Sequence, residues 1–128
     1  MIYVDTSVLL AQLFAEDRIP AADLWAEPLV TSRLLEYELW NRLNARGLAG
    51  SHGDAARLLL GRLAFLELTP EVLARALDPY PNPVRTLDAL HLASVMFLVE
   101  RGHKPALATF DTRMAAAARA MSLELFEV

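Results

Sequence analysis

Short apolar runs rich in β-branched and aromatic residues alternate with segments of helical periodicity from end to end, a pattern that leaves this chain few folds to choose from. Met1 to Val4 stops at Asp5-Thr6-Ser7, where cap-type residues precede the helical pattern Val8 to Ala15. A second helix around Ala21 to Ala26 leads through Pro28 into Leu29-Val30-Thr31, and Ser32 is placed to cap a long helix, Leu34 to Ala45, closed by Gly47. Ser51 to Leu63 reads as helix, Ala64 to Thr69 as a third strand and Glu71 to Leu77 as a further helix. The alternate prolines of Asp78-Pro79-Tyr80-Pro81-Asn82-Pro83 then enforce a loop. Thr86 starts a helix running to about Arg101 before Gly102, Ala106 to Phe110 forms a fourth strand, Asp111 leads into a helix over Thr112 to Met121, and Leu123 to Val128 makes a last strand. Such alternation calls for an α/β fold in which right-handed crossovers cover both faces of a parallel sheet.

With 128 residues, 55% of them apolar, the chain can bury one substantial core and not two, so a single domain over 1–128 is expected. Twelve Lys and Arg against 16 Asp and Glu give a formal charge of -4, so any contact with nucleic acid must be local. The absence of cysteine excludes disulfides, thiolate zinc sites and cysteine nucleophiles, and suits a reducing cytosol; a cytoplasmic protein is expected. The start lacks a basic region and meets an acid at position five, unlike a secretory signal. The longest apolar stretch, Leu87 to Val99, carries Asp88 and His91 and falls short of the roughly 20 residues of a membrane span.

Chemistry is carried by acids. Asp5 follows the first expected strand and Asp111 the fourth, and ligands of open parallel sheets bind beyond the carboxyl ends of strands. Each acid also suits a simple helix cap. Asp88 lies in the first turn of a long apolar helix, where Thr86 is the better cap, and its neighbour His91 reads as a packed, hydrogen-bonded residue. Glu38 falls inside a helix between the directions of Leu34 and Leu35, so it is half buried or paired with Arg42; periodicity does not choose between it and Glu36. Four carboxylates sharing a cleft persist only if cations or protons neutralise them, and hard oxygen ligands select Mg²⁺ or Mn²⁺. Such ions bind phosphate and acidify a bound water for in-line attack on phosphorus, the chemistry of a nuclease.

Tyr3-Val4-Asp5-Thr6-Ser7, Thr31-Ser32 followed by Glu38, Arg85-Thr86-Leu87-Asp88-Ala89-Leu90-His91-Leu92-Ala93 and Thr109-Phe110-Asp111 together resemble the PIN-domain family, and within it the VapC-type toxins. The resemblance spans nearly the whole chain. It implies a three-layer α/β/α sandwich with a central parallel sheet, and a Mg²⁺- or Mn²⁺-dependent endoribonuclease. The implied acidic quartet is Asp5, Glu38, Asp88 and Asp111, serving as catalytic residues and metal ligands. The family spacing from Thr31-Ser32 favours Glu38 over Glu36, and Thr112-Arg113 after Asp111 favours one ion over two. The resemblance also implies an RNA substrate, a cognate antitoxin and a homodimer. Thr6, Ser7 and Thr109 are placed to bond a ligand or water, and Arg33, Arg42, Arg46, Arg85 and Arg113 are candidates for RNA phosphate. Tyr37 and Trp40 read as core or dimer-interface residues.

Two other functions would place the acids differently. A receiver-like phosphate-accepting signalling domain would want paired early acids, and Asp5 stands alone; a haloacid-dehalogenase phosphatase would want a second Asp two residues after Asp5, where Ser7 stands. A PIN-like module that binds RNA or antitoxin without catalysis would have no need of the intact quartet.

Overall fold

The computed structural model describes residues 1–128. Its centre is β1 (Ile2–Val4), every residue of which is buried, as a strand covered on both faces requires. Around it lie β2 (Leu29–Ser32), β3 (Leu63–Leu66), β4 (Ala106–Ala108) and β5 (Glu124–Leu125), in the order β3-β2-β1-β4-β5. All neighbours are parallel, with Tyr3 opposite Val30 on one side and Leu107 on the other. The chain builds outward from β1 to β3 and then returns to the opposite flank as β4. The order therefore reverses between β1 and β4, where an open α/β sheet forms a crevice at its carboxyl edge.

Alternation of side chains divides the core. Ile2, Val4, Leu29, Leu63 and Ala108 face α1 (Thr6–Phe14), α2 (Arg33–Ala45) and α3 (Ala49–Leu60), meeting Val8, Leu9, Leu35, Leu39, Leu43, Ala56 and Leu60. Tyr3, Val30 and Leu107 face the other way, onto α5 (Thr86–Glu100) and α6 (Thr112–Ala120), against Leu92, Val95, Leu98, Met114 and Ala117. The short α4 (Pro70–Ala76) rides on α5. This is the expected three-layer α/β/α sandwich. No helix is long and apolar enough to cross a membrane.

Element boundaries differ from the periodicity where side chains cap. Helix α1 starts at Thr6, two residues before the expected Val8, because Asp5 caps it. The stretch Ala22–Ala26 is a 3₁₀ helix. Helix α3 starts at Ala49 and runs through Gly50 and Gly53; a Cβ at Gly53 would meet Trp40 Cη2 at 3.4 Å, so the bare backbone lets α3 press against α2. Strand β3 ends at Leu66 instead of Thr69, whose hydroxyl caps α4 ahead of Pro70 at the first helical position. Thr86, expected as a cap, is already helical, and Arg85 holds the cap position without a side-chain bond. Strand β4 ends at Ala108 instead of Phe110, which frees Thr109 to turn toward β1, and β5 spans two residues instead of the expected six.

Candidate functional site

Asp5 leaves β1 at the reversal point and is only 3% exposed. Its Oδ1 accepts the Ser7 N–H at 3.0 Å and the Ser7 hydroxyl at 2.5 Å, and its Oδ2 accepts the Thr109 hydroxyl at 2.5 Å. The Phe110 N–H donates to Ser7 Oγ at 2.9 Å, and the Asp5 N–H to the Ala108 carbonyl at 3.2 Å, so the carboxyl ends of β1 and β4 are stitched around this carboxylate. Burial pushes the Asp5 carboxyl above its ordinary range, against the pull of Ser7 and Thr109.

Glu38 arrives from α2, in the same helical layer as α1. Leu35, Leu39 and Leu43 turn one face of α2 into the core, and Glu38 sits on its shoulder, over the start of α1. There the Thr6 hydroxyl donates to Glu38 Oε1 at 2.8 Å, and His91 Nε2 lies 2.7 Å from the same oxygen. Glu36 points elsewhere, paired with Arg33 at 3.2 Å. Arg33 also grips Glu67 at 2.7 Å and holds its carboxyl below the usual range.

Asp88 and Asp111 share a counter-ion. Arg85 Nε is 3.1 Å from Asp88 Oδ2, and its Nη2 is 2.8 Å from Asp111 Oδ2. Asp111 Oδ1 is spent on the start of α6, accepting from the N–H groups of Arg113 at 2.8 Å and Met114 at 3.2 Å. For Asp111, cap and site are not alternatives: one oxygen caps and the other meets Arg85. The Arg85 side chain is 63% exposed, so this contact is easily exchanged.

All four expected acids line one cavity of about 450 Å³, with Thr6, Ser7, His91 and Arg85 among its walls and Tyr37, Asn41 and Arg42 beside them. In the present arrangement no three Asp, Glu or His side chains are gathered tightly enough to hold a metal ion together. Arg85 stands between Asp88 and Asp111, while Thr6 and His91 occupy Glu38. The donor set nonetheless suits a hard cation: four carboxylates, all-oxygen ligands, face two guanidiniums. Tyr37, expected in the core or an interface, is 67% exposed beside the cavity, whereas Trp40 packs against the core. Of the candidate arginines, Arg42 and Arg85 line the cavity and Arg33 is committed to Glu36 and Glu67. Asn41 is an addition to the expected residues; its three-residue spacing from Glu38, which puts both on one helix face, is the signal that points to it.

A PIN domain model matches residues 2–120. The chain belongs to the PIN domain family. Ribonuclease VapC35 of Mycobacterium tuberculosis is 34% identical to it over 129 residues, covering 96% of this chain and 93% of the relative. Among solved structures, M. tuberculosis VapC20, described as a sarcin-ricin loop cleaving toxin, superposes with a TM-score of 0.69 at 25% identity, covering 91% of this PIN-domain chain and 95% of that one. A chain of a toxin-antitoxin complex from Klebsiella pneumoniae gives 0.68 at 19% identity over 94% of each chain, a likeness of fold.

Proposed function

We propose that this chain is a VapC-type endoribonuclease, the toxin of a toxin-antitoxin pair, dependent on Mg²⁺ or Mn²⁺. The observation that carries the reading is the convergence of Asp5, Glu38, Asp88 and Asp111 on one cavity at the switch point of a PIN fold. These four carboxylates would hold the ion, and one ion suffices for the donors present. When bound, such an ion supplies Lewis acidity at the phosphodiester and a more acidic attacking water.

The chain's own residues prepare the site in other ways. Ser7 and Thr109 hold Asp5 and keep both its oxygens directed, and Thr6 and His91 hold Glu38 across the two layers. Arg85 neutralises Asp88 and Asp111 and, being exposed, is free to turn to an RNA phosphate; Arg42 offers a second positive group beside the cavity. An RNA substrate and a covering antitoxin complete the reading, supported by the names of ribonuclease VapC35, VapC20 and the toxin-antitoxin complex, and a homodimer is proposed from the family resemblance alone.

The test is cleavage of a single-stranded RNA panel by purified protein with Mg²⁺, with Mn²⁺ and with chelator. Cleavage should require the divalent ion, and Asp88→Asn should abolish it while preserving the fold. Equal cleavage by Asp88→Asn, or cleavage undiminished in chelator, would overturn the assignment.

A further inference from the structure

Tyr3, His91 and Glu38 form a line of hydrogen bonds from the bottom of the core to the cavity wall. Tyr3 is fully buried in the middle strand, and its hydroxyl lies 2.8 Å from His91 Nδ1, with the rings edge to face at 80°. The nearby hydroxyls of Thr31 and Ser94 spend their protons on the carbonyls of Val4 at 2.6 Å and Leu90 at 2.9 Å. Because a carboxylate can only accept, the contact of His91 Nε2 with Glu38 Oε1 at 2.7 Å requires a proton on Nε2. An imidazole whose one proton is there is bare at Nδ1, so the Tyr3 hydroxyl donates and His91 Nδ1 accepts.

We infer that His91 is a positioning residue, locked by Tyr3 in the Nε2–H tautomer so that it holds the Glu38 carboxylate toward the cavity. This rests on the nuclease reading only for its consequence; the tautomer and the orientation of Glu38 follow from the hydrogen bonds themselves. The chain of contacts spans the sandwich. Tyr3 belongs to the sheet, His91 to α5 and Glu38 to α2, so α2 is referenced to α5 across the carboxyl edge of β1. With Thr6 donating to the same oxygen, Oε1 takes two donors, and Oε2 is left for a ligand.

The experiment uses the full chain and begins without metal. Long-range proton-nitrogen correlation spectra of the imidazole should show His91 protonated at Nε2 and bare at Nδ1, and Tyr3→Phe should shift the Nδ1 resonance. A proton on Nδ1 would overturn the proposal whatever the protein's activity. Two amide replacements then separate position from bulk: Gln puts an N–H close to where Nε2 stands, and Asn puts one nearer Nδ1. The Glu38 side-chain carboxyl carbon resonance should be kept by His91→Gln and displaced by His91→Asn, with thermal melts confirming that both fold. Calorimetric titration with Mn²⁺ should give a loss of about 10- to 100-fold in affinity for His91→Asn, the usual cost of removing a group that orients a metal-binding carboxylate, and recovery of most of it for His91→Gln. Equal behaviour of the two variants in the carboxyl resonance would sink the inference. If the carboxyl effect is present but neither the wild-type chain nor any variant binds Mn²⁺, the positioning role stands and the nuclease reading fails.

Discussion

A residue can serve fold and site at once, and Asp5 shows the cost of doing so. It caps α1 through Oδ1, yet burial raises its carboxyl above its ordinary value, so folding disfavours the ionised form. By linkage, a carboxyl raised on folding contributes stability below its unfolded value and loses it as pH rises through the folded one. Asp5→Asn, which keeps an acceptor for Ser7, should therefore gain on the wild type as pH rises from acid to neutral. Melting curves of both in chelator across that range check this; a gap that stays constant or shrinks would show that Asp5 is not strained by its charge. Arg85 poses the converse case. Because it occupies Asp88 and Asp111, it competes with any cation for them. Arg85→Gln should tighten Mg²⁺ by a factor of about two to five, the scale of an exposed ion pair, in a calorimetric titration. Weaker binding would mean that Arg85 helps to build the site instead.

Among elements, α2 carries the decision that periodicity could not make. Glu36 and Glu38 stand about 160° apart at 100° per residue, so only one can face the cavity. Leu35 and Leu39 settle the rotation by burying the core face, and Glu36 is left to Arg33 while Glu38 meets Thr6 and His91. Glu38→Gln should accordingly lower Mn²⁺ affinity about tenfold or more, with Glu36→Gln close to wild type. The reverse order in a titration of both variants would remove Glu38 from the site. The same helix separates the legible from the hidden. Its existence, its Ser32 cap and its buried stripe are all readable from the sequence, because they depend on neighbours within a few turns. The partners of Glu38 are not, because Thr6 and His91 lie 32 and 53 residues away. Thr109 is similarly hidden. The strand pattern runs on to Phe110, and only pairing with β1 ends it at Ala108 and releases the hydroxyl to Asp5. His91 is packed and hydrogen-bonded, as its place on an apolar helix suggests, but one sequence does not say that the bond is to a cavity acid.

For the molecule as a whole, the alternation of strands and helices is enough to predict the layered sheet, and the positions of Asp5 and Asp111 at strand ends are enough to predict the edge on which the cavity opens. The charge of the whole chain bears on how RNA would be held. With a formal charge of -4 the protein has no long-range pull on RNA, and the cavity offers Arg42 and Arg85 against four acids. If RNA is held mainly by those two arginines, few counterions are released, and each phosphate contact on a single strand contributes about 0.7 to the slope of log affinity against log salt. The binding of a short single-stranded RNA to the cleavage-defective Asp88→Asn chain, at fixed Mg²⁺, should therefore show a slope of magnitude about 1 to 2. Arg42→Gln should reduce that magnitude by about 0.7. A slope several times steeper, unchanged by Arg42→Gln, would mean that RNA lies on a basic surface away from this cavity. Recognition would then have to be sought among the arginines outside it, such as Arg46 over Phe14 and Arg18 over Phe110.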